Sequence, residues 1–355
     1  MNANATENYS AENEQEEVEL VRDPDKKTPW IVKFRIKYLS WRFLKKAIWI
    51  LFRYVLLIGI SYIILFPFFS KIAGSFMSME DFSDVTVRYI PRHPTLDTYR
   101  AIISENGYWS ALWHTLLLSG MCGIVQTLIC SLVGYGFAKF KFKGSRILFI
   151  LVILTMIVPH QTLELSIFMQ FRYFDVLGIL NFLSGGVLTD ISILPSSMSS
   201  INLINTYWPF LILSITGLAF KNGLYIFMMR QFYRGVPDEL EESAYVDGAG
   251  VMRTFFRIIM PLSVPMMVTV FLFAFSWQWT DMFYTNLFFT SAGATLMPDI
   301  ITVPASLATT GAGSDLFQPA VLQTCGLLII IPLIIIYIFG QRYLVQGIER
   351  SGIVG

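Results

Sequence analysis

Charge is what this chain has least of. Of its 355 residues only 14% are Asp, Glu, Lys or Arg, against 54% apolar and 15% aromatic, the balance of an integral membrane protein rather than a soluble one. A net charge of +1, with no basic run interleaved with exposed aromatics, argues against nucleic acid as a partner. Cysteine is almost missing: Cys122, Cys130 and Cys325 all sit in apolar runs, without disulfide or metal-site spacing, and read as small buried hydrophobes. The three histidines, His93, His114 and His160, are far apart and show no ligand spacing, so no metal site is expected. No G-x-x-x-x-G-K-[ST] stretch occurs, which excludes a nucleotide-phosphate cradle of that kind. No arrangement of nucleophile, base and oxyanion donors can be argued, and the chain reads as no enzyme.

What is present is long apolar sequence. Six runs lack Asp, Glu, Lys and Arg, at 54–70, 106–138, 147–163, 191–220, 258–280 and 316–341, and a membrane helix needs roughly 17 to 25 residues. The expectation is an all-α, polytopic membrane protein with six transmembrane helices. Residues 1–28 are polar and aperiodic, read as a disordered tail, and do not form a signal peptide. Nine basic residues lie between Lys26 and Arg53, with Trp30 and Trp41 among them, a composition suited to an anionic membrane surface. The chain is therefore divided into a tail at 1–46 and a membrane domain at 47–355.

Basic residues set the orientation. The N-terminal segment, the turn with Lys139, Lys141, Lys143 and Arg146, and the loop with Arg230, Arg234, Arg253 and Arg257 alternate with loops poorer in Lys and Arg. By the positive-inside rule both termini are cytoplasmic.

The third of these basic regions holds the most unusual stretch, Pro237 to Pro265, charged and amphipathic between two apolar segments. Pro237 suits the first position of a short helix, Asp238, Glu239, Glu241 and Glu242 complement the positive end of its dipole, and Leu240 and Ala244 share a face. Gly248 breaks it. A second piece carries Met252, Phe255, Phe256 and Ile259 on one side and Arg253 and Arg257 on the other, and Pro261 closes it. Physics alone leaves two readings, a solvated loop or a knob that seats in a partner's groove.

The order Glu242, Ser243, Ala244, then Asp247, Gly248, Ala249, then Ile258, Met260 and Pro261 resembles the EAA loop of binding-protein-dependent ABC importer permeases. Ser243 and Met260 depart from that pattern by small changes in size. Further stretches resemble the carbohydrate type of this family: Pro91 to Tyr99, Gly134 to Lys139, Phe227 to Phe232, and Gln341 to Gly352. The likeness runs from about residue 48 to the end, with an importer core at about 106–345 and a coupling loop at 237–261. It leaves uncovered the tail and an atypical insertion at 181–202, expected on the outer face.

The resemblance implies a transmembrane subunit of an ATP-driven importer for a carbohydrate, in a bacterial-type inner membrane. Its partners would be ABC ATPase subunits, a second related permease subunit, an extracytoplasmic solute-binding protein and the lipid bilayer. ATP and Mg would sit on the ATPase, and this chain would bind no cofactor. Glu241, Glu242, Ser243, Ala244, Asp247, Gly248, Ala249 and Pro261 would form the ATPase contact, with Ser243 and Ala244 permitting close approach and Gly248 giving the turn.

A substrate path is harder to place. Lys221, about 13 Å of helix before Arg230, is an ionisable group at membrane depth, and it can snorkel, pair with a partner subunit or touch substrate. Trp277, Gln278, Trp279 and Asp281 resemble the family's Trp-Asn-Asp-Phe region and suit a glycan path; an interfacial aromatic belt is the alternative. Two other functions stay open: the same fold importing a non-sugar solute such as glycerol phosphate or a polyamine, and a membrane-embedded enzyme or channel.

Overall fold

The computed structural model describes residues 41–175, 200–219, 221–290, 294–308 and 313–352. The polar tail, the basic residues up to Lys37 and positions 181–199 of the insertion lie outside the described residues. The chain divides into two compact units, Met1–Phe69 and Ser70–Gly355. Within the first, the described chain is a single helix, the start of α1 (Trp41–Ser75), and the 46/47 boundary drawn from composition falls inside it. That helix carries Pro67 and exposes Ile58, Ile63 and Phe52, an apolar surface suited to lipid.

Among the described residues, four helices are long and apolar enough to cross a membrane: Lys45–Ser75, Tyr108–Lys139, Val251–Trp279 and Ser314–Gln346. They contain the expected runs at 54–70 and 316–341 and all but the end residues of those at 106–138 and 258–280. The run at 147–163 is a bent pair, α5 (Ser145–Ile157) and a 3₁₀ turn at His160–Leu163 leading into α6 (Glu164–Arg172), turned by 94°. Pro159 explains the bend, because it holds Val158 in an extended conformation (φ −69, ψ 119) and ends α5.

The run at 191–220 does not become one helix among the described residues. Instead α7 (Trp208–Ile215) stops after 8 residues, and α8 (Asn222–Arg234) begins beyond the charged Lys221. Gly217 (φ 74) and Lys221 (φ 69) both adopt left-handed backbone between them, so the break is built into the chain. Four spans, or five with the bent pair, are therefore directly visible where six were expected.

The described core is held by α4 (Tyr108–Lys139), which packs on α7, α8 and the long helix Val251–Trp279. Small residues permit this. A Cβ at Gly134 would stand 2.7 Å from Met229 Cβ and 3.0 Å from the Arg230 nitrogen, and one at Gly123 would meet the Phe271 ring at 3.1 Å, so α4 comes against its neighbours backbone to backbone. All three cysteines are buried and free.

At the Tyr108 end, after the short helices α2 (Met79–Ser83) and α3 (Asp97–Glu105), the Asn106 amide donates to the carbonyls of Ile300 and Thr302, and the Ser306 N–H donates to Glu105. At the Lys139 end lie the chain's Pro237–Pro265 stretch and Tyr135, Tyr233 and Phe255, buried together. The loops thus sort into two ends. The insertion has a closed base, since Phe174 and Ile201 exchange two backbone hydrogen bonds of 2.9 Å.

Candidate functional site

The Pro237–Pro265 stretch is a helix, a glycine turn and a second helix. The first, α9 (Glu239–Val246), starts two residues after Pro237 rather than at it, with Asp238 as its cap position. Gly248 (φ 79) makes the turn, and the Ala249 N–H reaches back to the Ala244 carbonyl at 2.9 Å, an αL ending that favours glycine.

The second piece, α10 (Val251–Thr254), does not close at Pro261. It passes through a π turn at Phe255–Ile259 into α11 (Met260–Trp279), with the Met260 N–H bonded to the Phe255 carbonyl. Pro261 lacks an N–H to donate, and the wider turn absorbs that gap, so the helix is continuous and Pro261 is an exposed residue within it. The turn also shifts the faces. Phe255 and Ile259 are buried, whereas Met252 and Phe256 are exposed.

The expected coupling residues divide by side. Glu241 and Ala244 point into this chain, and Glu242, Ser243, Asp247 and Gly248 are exposed, with Ala249 half-buried. Ala244 packs within the chain. The outward side also presents Met252 and, beyond the residues the sequence points to, Tyr245, Val246 (88% exposed) and Val251.

What holds the inner side is Lys139, at the end of α4. Its ammonium donates to the Val236 carbonyl at 2.6 Å and to the Asp238 carboxylate at 2.5 Å, and Glu241 Oε1 lies 4.0 Å away. The hydrogen bond from Lys139 holds the Asp238 carboxyl below its ordinary range, while burial pushes the Glu241 carboxyl up. In the sequence Lys139 is a basic residue at the end of the Gly134–Lys139 stretch, and nothing along the chain pairs it with residues a hundred positions later.

A second site lies at the helix breaks. A cavity of about 310 Å³ is lined by the Pro159 bend and by the Gly217–Lys221 break, and a tight space of about 20 Å³ beside it is lined by Gln126, Trp277, Gln278, Asp281 and Tyr284. Ala219 borders both. Irregular backbone at membrane depth is tolerated where it lines a cavity, and broken helices recur at transporter binding sites.

The Lys221 ammonium stands 4.9 Å from the centre of the Trp277 ring, a cation–π distance. His160 hydrogen-bonds the Tyr284 hydroxyl. Asp281 accepts the N–H groups of Tyr284 and Thr285 at 3.1 and 3.2 Å and so caps α12 (Phe283–Phe288). Of the expected path residues, Trp277, Gln278, Asp281 and Lys221 are brought together here.

Trp279 is not. Its ring is fully buried and stacked on Phe275 at 5.4 Å, and its Nε1–H donates to the Ile329 carbonyl at 3.0 Å. It ties α11 to α13 (Ser314–Gly352) and belongs to the core. His160, Tyr284 and Gln126 join the site without any sequence signal beyond the neighbouring Pro159.

Residues 126–350 match the family model described as binding-protein-dependent transport system inner membrane component. The chain is similar to the arabinooligosaccharides transport system permease protein AraQ of Halalkalibacterium halodurans, 26% identical over 303 residues, covering 83% of this chain and 93% of that one. It is also similar to the galactooligosaccharides transport system permease protein GanQ of Bacillus subtilis, 27% identical over 88% of this chain and 98% of that one. Among solved structures it resembles a chain of a bacterial ABC transporter involved in the import of the acidic polysaccharide alginate. That likeness has a TM-score of 0.59 and 17% identity, covers 84% and 97% of the two chains, and speaks to the fold.

Proposed function

Because the chain belongs to the family of binding-protein-dependent transport system inner membrane components, we propose that it is the transmembrane subunit of an ATP-driven importer for an oligosaccharide. In this reading a second, related permease subunit completes the pathway, and an extracytoplasmic binding protein delivers the sugar. ATP and Mg are held by separate ATPase subunits. Six spans form the working unit, with α7 and α8 together acting as one broken span, and both termini face the cytoplasm.

The observation that carries the reading is the α9–Gly248–α10 knob. Its exposed Glu242, Ser243, Val246 and Asp247 present a compact face with acidic and apolar groups, while Glu241, Ala244 and Phe255 anchor it to the spans. Closure of the ATPase pair on nucleotide drags the knob, and the bundle shifts between inward and outward openings. The likeness to arabinooligosaccharide and galactooligosaccharide transport permeases supports a saccharide substrate. Trp277, Gln278 and Asp281 supply the aromatic face and hydrogen-bonding groups that a sugar needs.

Co-purification tests this. The tagged chain is expected to bring down a separate ATPase, and Glu242→Lys is expected to lose it. Normal retention of the ATPase by the variant, with full transport, would overturn the docking assignment.

A second reading, an importer for an anionic solute such as a phosphate ester, has one observation in its favour. The lining of the larger cavity contains Lys221 and His160 and no acid. Binding of a glycan panel and of glycerol phosphate to the cognate binding protein separates the two.

A further inference from the structure

The two carboxylates around Lys139 are unlike. Asp238 is 78% exposed, whereas the Glu241 side chain is 9% exposed; its Oε1 has no donor in good hydrogen-bond geometry, with the Tyr135 hydroxyl beside the carboxylate and the Lys139 ammonium 4.0 Å from Oε1. The lysine side chain is itself only 6% exposed. Leaving a buried acceptor without a donor is unfavourable, and more so for a charged group. The exposed carboxylate has water as a substitute partner; the buried Oε1 does not. The ammonium nevertheless sits on the exposed one.

Such an arrangement has two settings. With Lys139 on Asp238, as observed, Glu241 is left short. With Lys139 on Glu241, the buried carboxylate is satisfied and Asp238 returns to solvent. Both acids belong to the cap and first turn of α9, and Lys139 belongs to α4. The ammonium already stands 4.0 Å from Glu241 Oε1, so a displacement of α9 against α4 on the order of 1–2 Å, the scale on which packed helices shift between states, is enough to decide which acid it bonds.

We infer that Lys139 is a two-position catch that α9 engages through Asp238 in one transport state and through Glu241 in the other. This rests on the reading of α9 as the seat of the ATPase. From Lys139, α4 runs without a break to Gln126, which lines the smaller cavity, a distance of about 20 Å along the helix. The catch thus joins the ATPase-facing knob to a wall of the solute site through one rigid element. A movement at the knob that changes Lys139's partner is passed to α4, and solute-driven movement of α4 is passed back. Other groups face the same point: Lys141 acts on Asp238, and Tyr135 and Tyr245 lie beside Glu241. They surround both settings without supplying a second buried cation.

The test uses the assembled importer, with ATPase, in proteoliposomes. Asp238→Asn leaves Glu241 as the only charged partner, and Glu241→Gln leaves Asp238. The two variants are expected to move solute-free ATP turnover in opposite directions, ending roughly fivefold or more apart, with the ATPase still bound in both. Lys139→Arg is expected to keep coupled uptake. In a Lys139→Met background the Asn and Gln substitutions are expected to make no further difference. Changes in the same direction, equal turnover, or a difference that persists without the lysine would each overturn the catch. Should Lys139→Met fail to assemble, the opposed responses of the two single variants decide alone. If the unaltered chain never binds an ATPase, the reading of α9 fails first and takes the catch with it. If it binds and the variants behave alike, only the catch fails.

Discussion

Gly134 and Met229 stand so close that a Cβ on the glycine would lie 2.7 Å from Met229 Cβ. At that point α4 and α8 meet backbone to backbone. The contact lies five residues from Lys139 and one from Arg230, so it sets the spacing of the spans at the end that carries the α9 knob.

Gly134→Val is therefore expected to wedge α4 from α8. Overpacking of this kind costs about 1–3 kcal/mol, and the detergent-solubilised protein should melt at a clearly lower temperature. Gly136, where a Cβ would meet nothing within 4 Å, is the matched control, and Gly136→Ala should melt close to the unaltered protein. Equal losses at both positions would mean that the close approach at Gly134 is not what holds these helices.

Trp277 and Trp279 should behave oppositely. Trp279→Ala removes a fully buried ring and the donor to Ile329, and large-to-small changes of that kind cost about 3–5 kcal/mol, read as loss of folded protein. Trp277 is 48% exposed and faces Lys221. Its replacement by Ala should leave melting nearly unchanged and reduce solute uptake. Normal uptake by a folded Trp277→Ala variant would remove this residue from the path.

These tryptophans also mark where sequence reading stops. Two residues apart on a helix, they point to nearly opposite sides, so one of the pair had to be buried. Which one depends on Ile329, fifty residues later. Apolar run length was enough to place α1, α4, α11 and α13, because lipid demands it of each segment separately. The Gly248 turn was legible for a similar reason, since it is a local backbone requirement.

The break at Gly217–Lys221 and the passage through Pro261 were not legible. In both places the chain weighs a local rule against packing: α8 begins after a charged residue, and a π turn rescues the helix at a proline. Lys139, Asp238 and Glu241 meet only after α4 and α8 have packed.

The pH dependence of stability should differ in sign for the two acids around Lys139. The Asp238 carboxyl is held low by Lys139, so its contribution is present above the ordinary carboxylate range and is lost as pH falls through its lowered value. The Glu241 carboxyl is raised by burial. Its contribution is present below the ordinary range and is lost as pH rises through the raised value. Relative to the unaltered protein, Glu241→Gln should therefore gain melting temperature as pH rises from the ordinary carboxylate range through the raised Glu241 value, and Asp238→Asn should lose it as pH rises from the lowered Asp238 value into the ordinary carboxylate range. A Glu241→Gln variant that weakens progressively toward neutral pH would contradict the burial argument.

The most direct test of the whole account is solute uptake by proteoliposomes holding this chain with its partner permease, ATPase and binding protein. A labelled oligosaccharide should accumulate only when ATP is supplied on the side that α9 faces, and Glu242→Lys should abolish that accumulation while leaving the chain folded. Uptake that proceeds without ATP, or that the Glu242→Lys variant sustains at full rate, would contradict the assignment of this chain as an ATP-coupled importer subunit driven through α9.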